Sequence, residues 1–310
     1  MIFLNIKGSM CQMKNNKVEH MKKKILYSLM ILMTPLLMVA QNDRETIKKS
    51  FEVKDKSQEM WLCVCNIEGD VEVEAYDGNT IEIEISKRIR AKRADDVEQG
   101  MEDVQVDFEE GEGYVRARLK TPQNEYREKA DPLACGWNWN RNSDKAYYRY
   151  RLDFKVKVPR AISVKISTVN NSDLFVKGVQ GMVYANNVNG NVELIDIAND
   201  TKAHTVNGRI DVNYTKMPAE FADFETVNGN IEVVAPKGAG AIYSFETQWG
   251  EIYSDFDFDK RLTPKVVSNK GNKGGTLYKV SKSNSYQVKE GGPEFFFKTL
   301  NGKIMLRDGK

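Results

Sequence analysis

The chain has 310 residues, of which 41% are hydrophobic, and Lys and Arg (46) nearly balance Asp and Glu (44) for a formal net charge of +2. That length suits one or two domains, and the apolar share suffices for a buried core. The balanced charge excludes a nucleic-acid surface, which needs an excess of basic residues to neutralise phosphates.

The N-terminus reads as a targeting segment. Lys22, Lys23 and Lys24 precede an apolar run from Ile25 to Val39, then Ala40 and the polar Gln41-Asn42-Asp43. This is the layout of a secretory signal peptide, with residues 1–40 as an N-terminal extension plus that signal. Met21 makes a better start for it than Met1. The run is too short and too interrupted by Pro35 to read as a membrane span, so no transmembrane segment is expected in the mature chain. No Cys follows the cut, so no lipid attachment is expected. The protein is expected to be exported, to the periplasm, the outer-membrane surface or the extracellular space.

Residues 41–160 read as an N-terminal β portion. Val71, Val73 and Ala75 alternate with Glu72 and Glu74, and Ile81, Ile83 and Ile85 alternate with Glu82 and Glu84. Such period-two runs predict half-buried strands, and Asp77-Gly78 between them predicts a hairpin turn. Residues 94–101 suit a short acidic helix. Val104–Phe108 and Tyr114–Leu119 predict two strands joined at Gly111 and Gly113. Residues 121–146 hold Pro122, Pro132, Gly136 and several Asn, which deny them regular structure. Alternation returns from Tyr148 to Val158 and stops at Pro159. Cys63 and Cys65 lie on one face of a strand-like run. Either one of them pairs with Cys135 in an oxidising compartment, or all three stay as buried thiols.

Residues 161–310 carry an internal repeat. Val188-Asn189-Gly190, Val206-Asn207-Gly208, Val227-Asn228-Gly229 and Leu300-Asn301-Gly302 each precede a strand-like run, and Asn171-Ser172 and Trp249-Gly250 fit the same frame. The Gly-equivalent positions 172, 190, 208, 229, 250 and 302 are spaced by 18, 18, 21, 21 and 52 residues. A period near twenty predicts one turn of a stacked β-repeat per unit, here an all-β solenoid or β-roll. Gly is expected to supply positive φ, and the Asn side chains to act as turn residues rather than to bond to one another along the stack. Positions two and four after each Gly are apolar and face the core. Asn66-Ile67-Glu68-Gly69-Asp70-Val71 echoes the unit, so both portions are expected to share one scaffold.

These residues carry a resemblance. Gly69-Asp70-Val71-Glu72-Val73, the strand ending in Val158-Pro159, the Val-Asn-Gly series and the terminal Gly292-Pro293 to Gly302 segment together resemble the DUF4097-type β-strand-repeat family, whose members bear the label "putative adhesin". The signal ending at Ala40-Gln41 is similar to those of Bacteroidetes-type bacteria. The resemblance implies a β-solenoid in the cell envelope and no catalytic site.

The chemistry that remains is sparse. His204 is the one histidine after the leader, which excludes His-cluster metal sites and weakens Ser-His-Asp readings. Asp255, Asp257 and Asp259 alternate along an apparent strand, but Lys260 stands where a calcium loop needs Gly, so a solvated strand face is expected. No cofactor, metal or catalytic residue is expected. Trp137, Trp139, Tyr147, Tyr148 and Tyr150 form the densest aromatic group. It either caps the open end of the β-core or contacts a partner, with Trp137, Trp139, Tyr147 and Tyr148 as the candidate partner-binding residues. The expected function is a non-catalytic envelope scaffold or adhesin that binds protein or glycan. A polysaccharide-acting β-helix enzyme and a periplasmic ligand or partner sensor are the alternatives.

Overall fold

The computed structural model describes residues 41–53, 59–126, 131–139, 145–263, 266–270, 276–280 and 283–309. The leader expected over residues 1–40 lies outside them. In chain order the elements are β1 (Gln41–Glu52), β2 (Trp61–Cys65), β3 (Val71–Tyr76), β4 (Thr80–Ala91), helix α1 (Ala94–Asp103), β5 (Gln105–Gly111), β6 (Tyr114–Lys120), β7 (Asn124–Tyr126), β8 (Trp137–Trp139), β9 (Tyr148–Pro159), β10 (Ser163–Ser167), β11 (Leu174–Lys177), β12 (Val183–Asn186), β13 (Val192–Ile197), β14 (Thr201–His204), β15 (Ile210–Tyr214), β16 (Phe221–Asn228), β17 (Ile231–Ala235), β18 (Ala241–Thr247), β19 (Ile252–Ser254), β20 (Lys260–Leu262), β21 (Val266–Lys270), β22 (Thr276–Val280), β23 (Asn284–Val288), β24 (Glu294–Asn301) and β25 (Ile304–Asp308). Among the described residues the protein is all-β apart from one helix.

Two large sheets hold most strands. One runs β1-β4-β9-β3-β11-β13-β15-β17-β25-β19 and the other β20-β23-β18-β24-β16-β14-β12-β10-β2-β6-β5. Each repeat leaves the second sheet, turns at its Gly and enters the first. Thus β12 leads to β13 around Gly190, β14 to β15 around Gly208, β16 to β17 around Gly229 and β24 to β25 around Gly302. Successive units pair in parallel register, with Val192, Ile210, Ile231 and Ile304 side by side, then Leu194, Val212, Val233 and Leu306. All eight are buried. Burying such a side chain is worth about 1.5–3 kcal/mol, so this interior, and not local propensity, holds the units together. The second sheet contributes Ala185 and Ala203 in the middle of the stack and Phe224, Phe297 and Phe245 towards its C-terminal end. The last three contact one another at 5.5 and 5.2 Å between ring centroids. Strand pairing runs through residue 160 without a break, because β10 pairs β2 and β11 pairs β3.

The structure corrects the sequence reading in several places. Asp77-Gly78 is not a hairpin, since β9 lies between β3 and β4 and pairs with both. Both runs present an apolar face to the same interior, and alternation alone does not reveal which strand divides them. The stack also departs from chain order. β24–β25, the last unit in sequence, sits between β16–β17 and β18–β19. Residues 255–259 are not a strand; their alternation turns Phe256 and Phe258 onto the core while the three Asp stay exposed. The hairpin joining β5 and β6 stands where the sequence placed it, the helix expected over 94–101 runs on to Asp103, and the stretch 121–146, expected to lack regular structure, holds the paired short strands β7 and β8.

Candidate functional site

The repeats offer a regular surface, and the strongest interruption of it is the segment after β6. Cys63 and Cys65 point out of the second sheet, because Leu62 and Val64 take the inward positions of β2. Residues 131–135 cross over them as a strap. Cys135 forms a disulfide with Cys65, their Cα atoms 5.4 Å apart. Arg116 donates to the carbonyl of Pro132, and Lys165 reaches Asp131 Oδ2 at 3.3 Å. Within the strap, Leu133 N donates to Asp131 Oδ1 at 2.9 Å. Arg116 also pairs with Glu109, whose other oxygen accepts from Tyr114 Oη at 2.5 Å. The Tyr114 hydrogen bond, with Arg116 behind it, holds the Glu109 carboxyl below its ordinary range.

Beneath the strap lies a third sulfur. Cys63 is fully buried and free, its Sγ 3.7 Å from Cys65 Sγ and 3.8 Å from Cys135 Sγ. Its thiol donates to the carbonyl of Leu133 at 3.4 Å. Burial pushes this thiol up to about 12 against the pull of Lys165, Arg116 and Arg118. It is therefore held mostly as the thiol while covered, which slows its reaction. Of the pairings left open by the sequence, the structure holds Cys65 with Cys135.

The candidate partner-binding aromatics divide. Trp137 and Trp139 lie on β8, which pairs with β7 in register Asn124–Trp139 and Tyr126–Trp137. Their side chains lie outside the described atoms. Tyr147 is exposed (69%), with Lys145 Nζ 5.9 Å from its ring centroid. Tyr148 points inward instead. It packs over Gly100 of α1 and donates to Asp103 Oδ2 at 2.8 Å, so it anchors the helix and offers no surface. Tyr150 packs against the core.

The turn edge carries ladders that the sequence reading assigned only to turn chemistry. Asn189, Asn207, Asn228 and Asn301 each donate from Nδ2 to the Oδ1 of the Asn in the neighbouring unit, starting from Asn170, at 2.7–3.3 Å. A buried ladder runs beside it. Thr205, Thr226 and Thr299 donate to the carbonyls of Gly190, Gly208 and Gly229 at 2.9–3.1 Å. The signal was present as Thr three residues before Gly, and only the Val-Asn-Gly part of it was used. An exposed apolar row of Val206, Val227 and Leu300 flanks the Asn ladder, near Trp249 (75% exposed) at the last unit.

Other clusters are weaker. His204 Nε2 lies 3.4 Å from Asp223 Oδ2, with Glu225 beside them, but Glu225 is already paired with Lys298 at 3.5 Å. Glu193, Asp211 and Glu232 stand in register on the first sheet's outer face. Burial raises the Asp211 carboxyl, and Glu232 and Glu193 reinforce this against Arg209. A depression of about 650 Å³ on the same sheet is lined by alternating Lys48, Glu84, Lys155 and Glu72, which neutralise one another. Asp255 pairs with Arg307, and Asp259 accepts the backbone N–H of Lys289, so the three Asp do not converge.

No protein-family model matches the chain, and no curated protein matches its sequence. Five chains of solved structures show similarity to it. One is described as a "putative cell adhesion protein" from Clostridium sporogenes, at 11% identity and TM-score 0.41, over 86% of this chain and all of that one. A "putative adhesin" from Bacteroides fragilis matches at 10% identity and TM-score 0.34, over 86% and 97%. A "putative lipid binding protein" from Parabacteroides distasonis matches at 11% identity and TM-score 0.22, over the same shares. Among the described residues, no helix is long and apolar enough to cross a membrane.

Proposed function

We propose that the chain is an exported, non-catalytic β-solenoid of the cell envelope that holds the aromatic residues following the strap out to a protein or glycan partner. The strap carries this reading. Residues 131–135 are an irregular segment fixed by a disulfide, a buried Arg and a Lys–Asp pair on an otherwise regular stack, Trp137 and Trp139 follow on β8, and loops held on rigid scaffolds tend to carry function. Trp137, Trp139 and Tyr147 are the residues that would meet the partner, through stacking or apolar contact. The non-catalytic reading is supported by the alternating Lys and Glu of the depression on the first sheet and by the lack of convergence among the Asp255–Asp259 carboxylates. The DUF4097-type assignment and the signal peptide belong to the same proposal.

The test compares the wild-type protein with a Trp137→Ala/Trp139→Ala variant for binding to envelope glycans and envelope proteins of the host. Loss of binding with an unchanged melting curve supports these residues as the contact. Retained binding removes them. Release of new reducing ends from a polysaccharide panel, abolished by Asp211→Asn, would instead establish the enzyme alternative on the Glu193–Asp211–Glu232 row.

A further inference from the structure

We propose that Cys63, Cys65 and Cys135 form a thiol–disulfide exchange site, in which either cysteine of β2 can hold the strap. The argument begins with strand geometry. Residues two apart on a strand share a face, so β2 presents Cys63 and Cys65 together to the strap. Cys135 lies over both. Its Sγ is bonded to Cys65 and is 3.8 Å from Cys63. A free thiol in van der Waals contact with both sulfurs of a disulfide differs from an ordinary buried cysteine, because it is the reagent that breaks such a bond.

The step is balanced without an outside oxidant or reductant. Cys63 gives up its proton, and its thiolate forms a bond to Cys135 Sγ. The Cys65–Cys135 bond breaks, its electron pair leaves on Cys65, and Cys65 takes up a proton. One thiol and one disulfide exist before and after. Cys63 stands broadside to the bond, nearly equidistant from the two sulfurs, whereas attack proceeds along the bond axis. The side chain must therefore rotate before reacting. The groups facing it are Lys165 from β10, Arg116 and Arg118 from β6 and Asp131 from the strap. Their net positive field favours the thiolate, and burial opposes it more strongly, so exchange is held in check while the strap is seated. Anything that lifts residues 131–135 hydrates Cys63 and releases the reaction.

The full-length protein carries Cys11→Ser throughout, so that only these three cysteines are counted. After oxidative purification, thiols are counted in denaturant. The parent is expected to show one thiol and Cys63→Ser none. Cys65→Ser is also expected to show none, because Cys63 takes over Cys135. Two thiols in oxidised Cys65→Ser would overturn the proposal. Circular dichroism of that variant shows whether it is folded, and Cys135→Ser, with two thiols, is the reference for an unfastened strap. The second measurement asks whether exchange occurs in the native protein. The parent is incubated between pH 7 and 9 without added thiol, quenched in acid and labelled, and fragmentation between residues 63 and 65 locates the label. Label on Cys65 should appear at an initial rate rising about tenfold per pH unit, following the thiolate fraction. Label confined to Cys63 at every pH would reject exchange even if the alternative pairing can form.

Discussion

At Gly229 the carbonyl oxygen of Gly208 lies 1.8 Å from where a Cβ would stand, and at Gly302 the carbonyl of Gly229 does the same. The glycine of this repeat is needed for close approach between units. Positive φ, the reason the sequence suggested, applies at Gly69 and Gly190 and not at Gly208, Gly229 or Gly302. Gly229→Ala should therefore cost about 3 kcal/mol or more, since the backbone of two units must part. Gly238→Ala, at φ +63° with only a lysine tip nearby, should cost about 1–2 kcal/mol. Urea titration of both variants checks the contrast; equal losses would refute it. Thr226→Val keeps the shape but leaves the Gly208 carbonyl without its side-chain donor, and should cost about 1–3 kcal/mol by the same measurement. Asp211 gives a pH signature. Its folded carboxyl titrates above the ordinary value of 3.8, so it opposes folding once the unfolded chain ionises. Asp211→Asn should raise the melting temperature at pH 7, and the gain should vanish as pH falls below about 3.8, where both states are protonated.

Among the elements, the strap shows how a local irregularity is held. Its disulfide closes a separation of 70 residues. Cys135→Ser should lower stability by about 2–4 kcal/mol, read from thermal or urea melts, with the two sheets otherwise intact. The elements themselves were largely legible in the sequence. Val71–Ile85, the β5–β6 pair and the helix were marked by alternation, turn residues and an acidic run. Neighbour relations were not. Val73 and Ile83 face the same interior as Val156, and all three strands show the same period. Nothing in that period tells that β9 divides β3 from β4. The site was half legible. Aromatic density pointed to residues 137–150, but Tyr148 follows the inward phase of β9 and Tyr147 lies just before that phase begins. Arg116 and Lys165 read as ordinary outward residues of their strands, because their meeting with the strap is set by register between strands distant in sequence.

For the whole molecule, the regular series 190, 208, 229 was sufficient to foresee stacked units, and up to Gly229 these stack in chain order. The gap of 52 residues before Gly302 hides the exception. At the growing end β23 pairs antiparallel with β18 and β20, and β24 then enters between β16 and β18. Phe295 and Phe297 supply the aromatic contacts there, with Tyr243 5.1 Å from Phe295 and Phe245 5.2 Å from Phe297. Deleting residues 294–310 should consequently abolish cooperative melting of the C-terminal third, as followed by near-ultraviolet circular dichroism. A terminal repeat at the end of a simple stack would be lost with far less effect.

This placement also bears on how the molecule comes into being. A polypeptide that emerges from its N-terminus can lay down the layers through β16–β17 as they appear, but β18–β19 has to wait with an uncovered flank until β24–β25 arrives and slides in beneath it. Completion of the stack is thereby tied to the synthesis of β24–β25. A prematurely terminated copy lacks an inner storey rather than a roof, and its open, aromatic-lined gap is the kind of surface that quality-control proteases and chaperones recognise.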